Sequence, residues 1–127
     1  MNTLLKSLAV AWLAVLIPCA GAHAQIAYES GGIGEEERTA ITDREDRYNL
    51  KLIFAERGSG AYLAGIRVRI ADADGTPLVE ATSEGPWFLA HLPPGTYRVD
   101  AEYMGSRRNL SVALTPRHPL TQQFYWP

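Results

Sequence analysis

Two histidines, His91 and His118, are the first residues to weigh for chemistry, since imidazole titrates near neutral pH and is the commonest metal ligand. A zinc site needs three or four convergent ligands, and the sequence has no H-x-H, H-E-x-x-H or paired-cysteine spacing. His91 therefore reads as a strand or edge histidine, and His118, between Arg117 and Pro119, as a loop residue. Asp72-x-Asp74-Gly75 would open a calcium loop only with a third oxygen position and a later bidentate glutamate, and neither is in place. Ser59 lies in Gly58-Ser59-Gly60, a turn and not the G-x-S-x-G elbow of a nucleophile. The 14 acidic residues allow many carboxylate pairings, but none has neighbours that would raise its pKa for acid catalysis. No catalytic residue, metal site or cofactor is implied. What remains are aromatics with no obvious core assignment: Trp87, Tyr125 and Trp126, which with His91 form the candidate ligand or partner contacts.

The elements that position these residues follow from punctuation and period. Met1 to Lys6 carries one positive charge, Leu8 to Ile17 is apolar, and Ala22-His23-Ala24 is a small-x-small pattern. Together they predict a signal peptide over 1–24, cleaved between Ala24 and Gln25. The expected compartment is the periplasm. The apolar run is about half the ~20 residues a spanning helix requires, so no membrane span is expected. Cys19 follows Pro18, not the small residue a lipid-attachment signal places there, and cleavage removes the chain's one cysteine.

Residues 25–34 read as a flexible, glycine-rich lead-in, and 35–46 as a short charged helix with Glu35, Glu36 and Glu37 at its positive end. The β-domain is expected over 48–127. From Tyr48 the period changes to two: Tyr48, Leu50, Leu52 and Phe54 share a face, with Asn49 and Lys51 opposite. Ile66, Val68 and Ile70 alternate with Arg67 and Arg69. Asp74-Gly75 marks a hairpin, and Leu78 to Thr82 returns. Trp87 to Leu92 is the next strand, and Pro93-Pro94-Gly95 a rigid corner. Tyr97, Val99, Ala101 and Tyr103 then face inward, and Gly105-Ser106 turns into Leu110, Val112 and Leu114. Leu120 to Trp126 closes the series. About seven strands at regular spacing predict an all-β, antiparallel sandwich. Adjacent Phe124, Tyr125 and Trp126 cannot all point inward, so at least one is exposed or covered by the helix. Trp87, on the face opposite Phe88, poses the same alternative.

The formal net charge of −2 gives no footprint for nucleic acid or anionic membranes. A chain of this length buries enough surface to fold as one domain without disulfides.

The order IRVRI (66–70), Asp72 with Gly75, Leu78 to Thr82, Gly85, Trp87-Phe88-Leu89 and LPPGTY (92–97) resembles the carboxypeptidase regulatory-like domains of the transthyretin (prealbumin-like) superfamily. It covers Gly60 to Leu114. The charged GGIGEEER segment is similar to small exported proteobacterial members of the group. The resemblance implies a non-catalytic scaffold or binding module but does not name its ligand, because fold alone does not fix function; an envelope protein or a glycan is the expected partner. The superfamily's 5-hydroxyisourate hydrolases end in Tyr-Arg-Gly-Ser, whereas this chain ends Phe124-Tyr125-Trp126-Pro127. Adhesin domains of the Cna-B type, with a related sandwich, join a lysine to an asparagine in the core. Lys51 and Asn109 are the candidates here, but alternation turns Lys51 outward. The expectation is a protein-binding accessory module using sheet edges and the loops near 56–62, 84–87 and 115–119. The alternative is a carbohydrate or small-molecule binder using Trp87, His91 and Tyr125, and a third reading is a hydrolase of the hydroxyisourate type, whose terminal motif is missing here.

Overall fold

The computed structural model describes residues 25–127; the expected leader over 1–24 lies outside the described residues. The order is β1 (Ala27–Gly31), α1 (Glu35–Thr42), a 3-10 turn (Glu45–Arg47), β2 (Leu50–Glu56), β3 (Ile66–Asp72), β4 (Pro77–Ser83), β5 (Trp87–His91), β6 (Gly95–Tyr103), β7 (Ser106–Leu114) and β8 (Leu120–Trp126). Two four-stranded sheets, β1-β5-β2-β8 and β4-β3-β6-β7, form an all-β sandwich. Among the described residues no helix is long and apolar enough to cross a membrane.

The core is built by alternation. Leu50, Leu52 and Phe54 of β2 and Ile66, Val68 and Ile70 of β3 turn inward and are almost wholly buried. They meet Phe88, Val99, Val112, Phe124 and Trp126 in one apolar cluster. Burying such side chains contributes about 1.5–3 kcal/mol each. The hairpin after β3 forms where Asp-Gly marks it. Asp72 Oδ1 accepts from the N–H groups of Asp74 (3.0 Å) and Thr76 (2.9 Å), and Gly75 supplies φ 86°. At the proline corner, the Tyr97 hydroxyl donates to the Pro93 carbonyl.

The structure differs from the sequence expectations at several elements. The strand count is eight, because 25–34 is not a flexible lead-in. Ala27–Gly31 pairs antiparallel with β5, from Ala27 opposite His91 to Gly31 opposite Trp87. The sheets are not wholly antiparallel, since β8 runs parallel to β2 along its full length. A parallel pair needs a long crossover, and here the rest of the sandwich provides it. The helix ends at Thr42, and the last part of 35–46 becomes the 3-10 turn.

Tyr48 and Asn49 exchange their expected places. Tyr48 is half-buried outside the core, where its hydroxyl donates to Glu29 at 2.5 Å. Asn49 is buried. Its Nδ2 donates to the Leu92 carbonyl (2.7 Å) and its Oδ1 accepts from the Leu92 N–H (2.9 Å). Its backbone accepts from Leu120 N–H and donates to the Ala90 carbonyl. One residue thus fastens the end of β5 and the start of β8 to β2. Tyr103, expected inward, is half-buried against Trp126 with ring centroids 6.0 Å apart.

Candidate functional site

The outer face of the β1-β5-β2-β8 sheet is half covered. Leu89 points away from the core yet is fully buried, because α1 and the 3-10 turn lie over that part of the sheet. Ile41 is buried and anchors the helix beside Gly31, where a Cβ would lie 3.1 Å from Ile41 Cδ1 and would collide with the Glu37 carboxylate. The segment is fixed to β1 by an ionic cluster: Glu29 accepts from Arg44 Nη2 (2.7 Å), Arg44 Nε (3.3 Å) and the Tyr48 hydroxyl (2.5 Å). The Arg44 hydrogen bond holds the Glu29 carboxyl below the usual carboxylate range, against the opposing effect of burial. Burial, followed by the Glu29 hydrogen bond, pushes the Tyr48 phenol up.

Trp87, at the edge of the covered half, is not a free contact. Lys51 Nζ sits 3.8 Å from the ring centroid and is held by Glu45 at 2.7 Å. The chain also presses in at Gly32, where a Cβ would come within 3.1 Å of the indole. Trp87 is thus half-buried, packed under the chain that leads into α1. The indole Nε1 is buried without a hydrogen-bond partner.

Trp126 is corrected outright as a contact residue. It is 2% exposed, stacks near Phe124, and donates its Nε1 to the Ser106 carbonyl at 3.0 Å. Alternation sends Phe124 and Trp126 inward and leaves Tyr125 outside, 40% exposed. His91 is exposed at the far end of β5, opposite Ala27 and separated from Trp87 by buried Leu89. Trp87, His91 and Tyr125 therefore do not converge.

What the structure adds beside Tyr125 is Tyr62. Ala55 of β2 pairs with Tyr125 on one side and, through an isolated bridge, with Tyr62 on the other. Paired residues project to the same face, so two tyrosines flank a buried alanine. Their Cα atoms stand about 10 Å apart, twice the strand spacing. Tyr62 is 54% exposed, and Ile33, from the segment crossing Trp87, is 61% exposed. Arg38 ties these parts together: its Nη1 donates to the Gly32 carbonyl at 3.1 Å and its guanidinium lies 5.7 Å from the Tyr62 ring centroid. Ile33, Arg38, Tyr62 and Tyr125 thus border the uncovered half of the sheet. This is the end of the sandwich where β1, β2 and β8 finish and β5 starts. The expected contact loops 56–62 and 84–87 lie at this end, whereas 115–119 leads into β8 at the other.

The outer face of the β4-β3-β6-β7 sheet is charged and partly self-paired. Arg69 lies between Glu80 (3.1 Å) and Asp100 (4.0 Å), and Arg98 reaches Asp100 at 3.5 Å. Arg69, Glu80 and Asp100, with Arg67, Glu102 and Arg107, line an open concavity of about 540 Å³. Asn109 is exposed on this face, while Lys51 lies on the outer face of the other sheet. The whole core separates the two, so no Lys51–Asn109 bond forms. No group of three or more His, Cys, Asp or Glu among the described residues is arranged to hold a metal ion.

No known family model matches the chain, and no curated protein matches it.

Proposed function

We propose that the protein is an exported, non-catalytic binding module of the cell envelope that holds a protein partner against the Ile33–Tyr62–Tyr125 surface. The observation that carries this is the exposure of three large apolar side chains, with one arginine, on the half of the sheet face that α1 leaves open among the described residues. Tyrosine and arginine are enriched among residues that carry binding energy, and tyrosine offers large contact area with few rotatable bonds. The signal-like segment over 1–24 supports export to the periplasm, and the motifs at 72–75 and 92–97 support kinship with the carboxypeptidase regulatory-like domains. A carbohydrate site built on Trp87, His91 and Tyr125 is disfavoured, since Lys51 and Gly32 occupy Trp87 and His91 lies at the opposite end.

The test is dissociation of the captured partner from wild type and from a Tyr62→Ala/Tyr125→Ala variant whose fold is verified by circular dichroism. Truncating two anchors should weaken binding by about 30-fold or more, mainly through faster release. An unchanged dissociation rate would place the contact elsewhere.

A further inference from the structure

The same end of the molecule carries a distinct charge pattern. Glu35 and Glu36 open α1 directly after Ile33 and Gly34, and both are exposed. Glu84 is exposed in the loop before β5, where its N–H bonds the Ser30 hydroxyl of β1 at 3.1 Å. Glu56 ends β2 one residue beyond Ala55 and is exposed as well. The carboxylates of Glu35, Glu36 and Glu84 accept no hydrogen bond and make no ion pair among the described residues, and Glu56 meets only the Ser59 hydroxyl. Of the cations at this end, Arg38 is engaged by Gly32 and Tyr62, and Arg57 follows Glu56 in the turn.

An apolar centre with an unpaired acidic rim is complementary to an apolar segment bordered by cations. Rim charges steer encounter and exclude partners of the wrong sign. The opposite sheet mixes Arg67, Arg69, Arg98 and Arg107 with Glu80, Asp100 and Glu102, so it presents no comparable acidic field.

We infer that the partner presents a basic segment, with lysine or arginine flanking an aromatic or aliphatic anchor that seats between Ile33, Tyr62 and Tyr125. This rests on the assignment of that surface as the contact site. A partner of this kind associates fast at low salt and slowly at high salt, and anionic surfaces are repelled.

The test uses a short peptide alternating lysine with phenylalanine, its glutamate counterpart and a serine counterpart, followed by NMR of the folded protein. The lysine peptide should shift the signals of Tyr62 and Tyr125. Its affinity should fall about tenfold as salt rises from about 0.02 M to about 0.5 M. Glu35→Gln/Glu84→Gln should weaken it several-fold, whereas Asp46→Asn/Asp74→Asn, equal in charge but remote, should not. If the serine or glutamate peptide shifts the same tyrosines as strongly, the surface is a contact site but the inference of a basic partner is overturned. If the lysine peptide leaves Tyr62 and Tyr125 unmoved, or binds both paired variants alike, the inference is also overturned. Unmoved tyrosines with all three peptides count against the contact surface itself.

Discussion

Asn49 shows how one side chain completes a fold. Its amide imitates a strand, giving a donor to the Leu92 carbonyl and an acceptor to the Leu92 N–H. Asn49→Ala leaves both Leu92 groups buried and unpaired, so it should destabilise the protein by about 2–4 kcal/mol in urea unfolding. Asn49→Asp keeps the acceptor but loses the donor and buries a charge, and should cost at least as much. Glu29 sets a pH limit. Its carboxyl is more acidic folded than unfolded, so its stabilisation is present above the unfolded value and is lost as pH falls through the depressed one. Acid titration should release the α1 segment from β1 before the core melts, and Glu29→Gln should remove that acid-sensitive step from the Lys51 and Trp87 signals. None of this was legible in the sequence. Asparagine on a predicted solvent face gives no sign that Leu92 lies opposite, and Glu29 and Arg44 meet only because β1 exists. The assignment of Trp126 failed for a related reason. Alternation says that Tyr125 and Trp126 point to opposite sides, but not which side is the core until β8 is placed against β2.

At the scale of elements, the strands of the core announce themselves by strict alternation, as IRVRI does for β3, and the hairpin by Asp-Gly. β1 does not, because Ala27–Gly31 is short and ends in glycine; its place depends on long-range pairing with β5. Close approach is the reason for glycine there: a Cβ on Gly85 would come within 2.3 Å of the Gly31 carbonyl oxygen. Gly85→Ala should therefore loosen β1 and its helix selectively, seen as faster amide exchange over Tyr28 to Gly31 with protection of β3 and β6 retained. The β6–β7 hairpin turns on Met104 and Gly105, both with positive φ, at 47° and 81°. Such a turn favours Asn-Gly, and a left-handed methionine is strained by about 1 kcal/mol. Met104→Asn should raise stability by about that amount, measured by denaturant midpoint. Tyr62 escaped the sequence analysis because it lies in a loop with a single bridge to Ala55, outside any alternating run.

Over the whole molecule, the sandwich sorts its surfaces. One outer face mixes arginines and carboxylates across its strands; the other is half roofed by α1 and half open, with tyrosines and Ile33 at the acidic end. The all-β class and most strand positions were readable from period and turns, since those are local properties. The parallel union of β2 and β8 was not, because it joins residues about seventy positions apart and depends on how the intervening strands close. The central claim is that the open half of this face binds a protein. The most direct measurement is photo-crosslinking in cells from position 62, with Asn109 on the opposite sheet as reference, followed by mass spectrometry of the adducts. One dominant protein adduct is expected from position 62, absent from position 109 and reduced by Tyr125→Ala. Equal labelling from both positions, or no protein adduct from position 62, would contradict it.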